Sequence, residues 1–194
     1  AMLLGVAFSL QRSAGDLLQD LQRYRGLVSH FSLDSLNTSS LEIITETINL
    51  IYDQLDYDIV RIYLVEGNQS FSRRYASSLN RGQVLVDENV NIAPDSGLMQ
   101  ALRTRTIQVL EFGSARSHFA SGMTVGMAVP VLDGNDVLAV LDLQREASRS
   151  IGLDEQQAVA FIGLQFGQAL AETRLLADLR NNLSDQTRII EQQR

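Results

Sequence analysis

Two histidines, His30 and His118, are the side chains of this 194-residue sequence whose ordinary titration falls near neutral pH. His118 lies in a small-residue stretch, "GSARSHFASG", where it could ligate a haem or bond a ligand. Haem needs a shielded axial ligand and an apolar slot, so a plain polar loop residue is the preferred reading. Asp142 stands among Val140, Leu141 and Leu143 in a strand-like run. A buried carboxylate costs several kcal/mol unless it is paired. It could therefore face a ligand or pair with an arginine such as Arg61, and the pairing is preferred. Arg103 and Arg105, with Arg116, could hold an anion at a pocket mouth. Cations at the end of a helix are also favoured by its dipole, which explains the first two without a ligand. Asp95 and Asp142 could be offered as a general acid and base, but nothing in their spacing supports it and no nucleophile accompanies them.

The missing residue types exclude more than the present ones suggest. The chain has no cysteine, which removes disulfides, thiolate catalysis and cysteine-based zinc sites. Every one of its 16 Lys+Arg residues is an arginine, so neither a phosphate-loop lysine nor a Schiff-base lysine is available. Two histidines are too few for a multi-histidine metal site. A net charge of −7 argues against nucleic acid as a partner. No apolar run is long enough to span a bilayer. The opening "AMLLGVAFSL" lacks the charged flank and cleavage site of a signal peptide. An acidic, cytoplasmic module is expected, and the helical pattern running to "RIIEQQR" reads as part of a longer protein.

The elements follow from periodicity. Leu3, Ala7, Leu10, Ala14, Leu17, Leu21, Tyr24, Val28 and Phe31 alternate in steps of four and three, which predicts a coiled-coil helix. Gly15 and Gly26 weaken it by about 1 kcal/mol each. Ser39, with Glu42 three residues on, predicts a capped helix whose apolar face is Ile43, Ile44, Ile48, Ile51 and Leu55. "YDIVRIYLVEG" and "QSFSRRYASS" read as paired strands, and "RGQVLVDENVNIAPD" as an irregular connection. A short helix starts at Asp95 or Ser96, "TIQVLEF" is a further strand, and two strands follow in "VGMAVPVLDGNDVLAVLDLQ". A helix is expected from Leu153 to the end of the chain. Helices at both ends of an antiparallel sheet make the class α+β.

The last two strands have no consistently polar face. Val137, Ala139, Leu141 and Leu143 share one side, and Leu138, Val140, Asp142 and Gln144 the other. They must be covered twice, by the terminal helices and by the short helix with its connections. A sheet roofed by loops is where a small-molecule pocket can form, although the roof can equally be packed solid.

"MAVPVLDGNDVLAVLDLQ", "DSGLMQALRTRTIQVLEF" and "IGLDEQQAVAFIGLQFGQALAETRLL", in this order, resemble a GAF domain over about residues 40–175. The resemblance implies a sheet of five or six antiparallel strands with helices on one face and a pocket on the other. It also implies a place in sensor kinases, cyclases, phosphodiesterases or transcription regulators, and dimerisation through flanking helices. Covalent bilin attachment, which uses a cysteine beside a histidine in the family, is excluded at Ser117-His118. The cysteine-dependent methionine sulfoxide reductase branch is excluded likewise. The Asn-Lys-Phe-Asp-Glu motif of cyclic-nucleotide-binding relatives is absent.

The domains expected are residues 1–35 as a coiled-coil signalling helix, 36–175 as the GAF-like domain, and 176–194 as a linker helix toward an output domain. The function expected is that of a non-catalytic regulatory module, forming a parallel homodimer and relaying a signal, as a piece of a histidine kinase, cyclase or similar enzyme. Its interface would use Leu10, Leu17, Leu21, Tyr24 and Val28 on the first helix and Leu176, Leu183 and Ile190 on the last. The alternative is a non-covalent sensor of a small molecule or tetrapyrrole, lined by Tyr63, Phe112, His118, Met127 and Asp142. No cofactor and no metal is expected, and an enzyme of unknown type ranks lowest.

Overall fold

The structure is a computed structural model and describes residues 39–55, 57–66, 70–77, 84–88, 90–111, 119–146 and 150–192, with side chains through residue 183 except that of Ser77. The helix expected over residues 1–35, with Leu10, Leu17, Leu21, Tyr24 and Val28, lies outside these residues, as do Phe112 and His118.

Helix α1 (Ser40–Gln54) begins where the capping pattern places it. The Ser39 hydroxyl accepts the Glu42 N–H at 3.3 Å, and the Glu42 carboxylate accepts the Ser39 N–H at 2.6 Å. The Ser39 backbone N–H and, less strongly, the Ser39 hydroxyl hold the Glu42 carboxyl below its ordinary pKa. Strands β1 (Ile59–Glu66), β2 (Ser70–Ser77) and β3 (Val84–Asp87) follow, then helix α2 (Gly97–Thr104), strands β4 (Gln108–Glu111), β5 (Val125–Asp133) and β6 (Asp136–Arg145), and helix α3 (Leu153–Gln192). The six strands form one antiparallel sheet in the order β3-β2-β1-β6-β5-β4.

Strand β3 corrects the sequence reading, which ran an irregular connection through it. It is an edge strand with Leu85 and Val86 exposed, so its residues lack the burial that leaves a readable pattern. Its place is fixed by pairing with β2, including ion pairs Arg74–Asp87 at 2.8 Å and Arg73–Glu88 at 3.3 Å.

Strand alternation divides the central side chains between two layers. Val60 and Ile62 of β1, Met127, Val129 and Val131 of β5, and Ala139, Leu141 and Leu143 of β6 are buried toward α1 and α3. Helix α1 contributes Ile43, Ile44, Ile48 and Ile51; α3 contributes Val159, Ile162, Phe166 and Leu170. Fully burying each large side chain stabilises the fold by about 1.5–3 kcal/mol. Helix α3 comes close to β5 at Gly167: a Cβ there would stand 2.6 Å from the Leu132 carbonyl oxygen.

The opposite layer is the roof. Leu98, Ala101 and Leu102 of α2 pack on Tyr63, Val65, Ala128 and Val140. These residues are at most 8% exposed, so this part of the roof is filled with side chains rather than hollow.

Helix α3 has two apolar faces. Val159, Ile162, Phe166, Leu170 and Thr173 are buried. Phe161, Leu164, Leu175, Leu179 and Leu183 are exposed, and at 100° per residue they fall within about 100° of one another on the opposite side. At 40 residues the helix is about 60 Å long. No residue between Arg174 and Leu183 is buried.

Candidate functional site

Asp142 and Gln144 lie two residues apart on β6 and point to the roof side, beside Val140. Both are fully buried. The Asp142 carboxylate accepts from Arg61 Nη1 at 3.2 Å, as the strand register Arg61↔Asp142 allows. It also accepts from Gln144 Nε2 at 2.9 and 3.0 Å. The arginine singled out from the sequence is thus its partner, and side-chain hydrogen bonds from two residues offset the cost of burying the charge.

With Nε2 committed to a carboxylate, the Gln144 amide can turn only its oxygen outward. That oxygen accepts the Ala120 N–H at 2.8 Å. The segment beginning at Phe119 is therefore fastened to the sheet by a side chain. Gly126 of β5 provides the seat for Phe119: a Cβ there would lie 3.0 Å from the Phe119 ring and 2.5 Å from the Leu143 carbonyl oxygen. The Met123 N–H closes a turn onto Ala120, and the Thr124 N–H bonds the Arg145 carbonyl at 3.1 Å.

Tyr63 joins the same side of the sheet, 2% exposed, its ring tilted at 59° to Phe71 with centroids 5.5 Å apart. Burial raises its phenol pKa above the usual value. The Asp142 charge raises it further, while Arg61 and Arg74 oppose the shift.

Arg145, next along β6, faces the helix layer. Its Nη1 and Nη2 donate to the two Glu155 oxygens at 2.7 and 3.0 Å, and its guanidinium lies 5.2 Å from the Tyr57 ring centre. The Tyr57 hydroxyl donates to the same carboxylate at 2.7 Å. Arg145 Nε is buried without a hydrogen bond. The end of β6, the approach to β1 and the first turn of α3 thus meet on one carboxylate.

Of the residues named from sequence, Tyr63 and Asp142 come together. Met127 is fully buried on the helix side, one residue out of phase with Ala128, on the opposite face of the sheet from them. Leu176 is partly buried and Leu183 exposed on α3, while Ile190 lies on the same helix with its side chain outside the described residues. Gln144, Ala120, Arg145, Glu155 and Tyr57 were not singled out. Gln144 left a signal, since it and Asp142 are the polar positions on one face of an otherwise apolar strand.

A half-open cleft of about 250 Å³ lies between α3 and the approach to β4, lined by Ile107, Val129, Pro130, Leu132, Ala160 and Leu164, with Arg105 at its side. It is smaller than typical ligand sites and has no set of convergent polar groups. No group of three or more His, Asp or Glu able to hold a metal occurs among the described residues, and no described helix is long and apolar enough to cross a membrane.

An antiparallel sheet with helices on one face and a short helix with loops on the other defines an α+β domain. The family model described as GAF domain matches residues 39–170, and the chain belongs to this family, a sensor and regulatory module found in signalling proteins. Three solved structures illustrate the likeness in fold. The GAF domain of an Acinetobacter phosphoenolpyruvate-protein phosphotransferase aligns with a TM-score of 0.64 at 17% identity, covering 82% of this chain and 98% of that one. A free methionine-R-sulfoxide reductase from Neisseria meningitidis, solved with its substrate, gives 0.60 at 12% identity, covering 78% and 90%. The GAF domain of a two-component sensor histidine kinase from Bacillus halodurans gives 0.52 at 14% identity, covering 70% and 96%. No curated protein matches significantly.

Proposed function

We propose that this chain is a non-catalytic regulatory GAF module that forms a parallel homodimer through its terminal helices and relays a change of state to an output domain beyond residue 194. One observation carries this reading. Helix α3 outruns its own sheet with Leu175 61%, Leu179 49% and Leu183 64% exposed on one face. An apolar face of this kind is the seam a second helix covers. In the similar phosphotransferase and histidine kinase, the GAF domain is likewise one part of an enzyme. The non-catalytic reading is supported by the chain's own composition, which offers neither a thiol nor a primary-amine side chain. Multi-angle light scattering at micromolar concentration tests the dimer. A mass of twice 21.5 kDa is expected, and a monomer throughout the range would overturn the reading.

A further inference from the structure

The last two residues of β6 hold opposite layers of the domain. Gln144 reaches to the roof side and binds the Ala120 N–H; Arg145 reaches to the helix side and binds Glu155 in the first turn of α3. The backbone between them is fixed from both flanks: the Gln144 carbonyl accepts the Asp58 N–H at 3.0 Å and the Arg145 carbonyl accepts the Thr124 N–H at 3.1 Å. At the start of α3, Ile151 is buried just ahead of the helix and Leu153 is 66% exposed, so the Arg145–Glu155 pair is a principal side-chain tie from its first turn to the sheet. We propose that Gln144 and Arg145 are positioning residues that couple the segment Phe119–Thr124 to the start of α3, so that releasing this segment from Gln144 loosens the first turn of the helix through the Arg145–Glu155 pair.

The chain of contacts is physical at each step. Asp142 dictates the orientation of the Gln144 amide, because a carboxylate only accepts and so must face Nε2. The amide oxygen then holds Ala120. Loss of that bond leaves the Gln144 amide held only by Asp142, and the change reaches Arg145 through the backbone the two residues share at the strand end. Glu155 feels the change because both of its oxygens bond Arg145 and one also bonds Tyr57. Two elements that differ in stability can be linked in this way without a large displacement. The coupling names where in the domain the relay proposed above would start; its use, though not its existence, rests on that reading.

The test is residue-resolved amide hydrogen exchange on the full chain. Gln144→Met is expected to speed exchange at Ala120 at least tenfold, and at Gln156–Ala158 at least threefold. In a Glu155→Gln background the effect at Gln156–Ala158 is expected to disappear while that at Ala120 persists. Faster exchange at Ala120 alone, or an equal effect on the helix in both backgrounds, overturns the inference. Should Gln144→Met fail to fold, Asp142→Asn and Asp142→Asn/Gln144→Glu give the same comparison. The first loosens both places. The second returns an oxygen acceptor to Ala120 and a donor–acceptor pair between 142 and 144, and is expected to restore slow exchange at both. Restoration at Ala120 alone, or at neither place, overturns it. Light scattering on the same samples separates the two proposals. A dimer without the coupling keeps the function and loses this inference, and a monomer with it does the reverse.

Discussion

Two glycines one helical turn apart on α3 have opposite expected responses to a single methyl group. A Cβ on Gly163 would find its nearest neighbours at 3.8–3.9 Å, an ordinary contact, whereas on Gly167 it would meet a backbone oxygen at 2.6 Å. Gly163→Ala should therefore stabilise the protein by about 0.5–1 kcal/mol through helix propensity, and Gly167→Ala should cost about 1–3 kcal/mol through overpacking. Urea melts of the two variants check the contrast. Tyr63 carries a second residue-scale expectation. Its folded pKa is raised by burial and then by Asp142, so the unfolded chain ionises first as pH rises. Stability is complete below about pH 10, the unfolded tyrosine value, and falls as pH climbs toward the folded value. Tyr63→Phe should flatten that part of the pH–stability curve, read as the melting temperature between neutral and strongly alkaline pH. Asp142 shows how far single residues could be read in advance. A carboxylate in an apolar strand demands a partner, and Arg61 was within reach as one. Its second partner, Gln144, and the Ala120 amide beyond it could not be ranked, because a backbone N–H looks the same at every position.

Whole elements were legible where burial imposed a period. The capping box at Ser39 and Glu42, the isoleucine face of α1 and the two-sided β5 and β6 all stand where the sequence puts them. Strand β3 escaped because an exposed edge strand imposes no alternation. Helix α3 was legible as a helix but not in its facing. A four-three rhythm runs through Ile162, Phe166 and Thr173, which cover the sheet, and on to Leu183, which is exposed. Apolar residues on two opposite sides of one helix look alike until a sheet is set against one of them. Phe166, fully buried, should reveal which side that is: Phe166→Ala is expected to cost about 3–5 kcal/mol in a denaturant melt.

At the scale of the molecule, the exposed side of α3 is where assembly would be decided. Replacing Leu175, Leu179 and Leu183 together with glutamate should convert the proposed dimer to monomer in light scattering. Because these side chains are exposed within the chain, the monomer should keep a cooperative melt. Helix α3 also fits its bed in only one orientation. A roll of one residue, about 100°, would bring Phe166 or Gln168 to the spot beside Leu132 that has no room for a methyl. The domain thus acts like a keyway, setting the compass bearing at which the leucines emerge. In the proposed relay, tilting or lengthwise travel of the shaft stays available, but not spin.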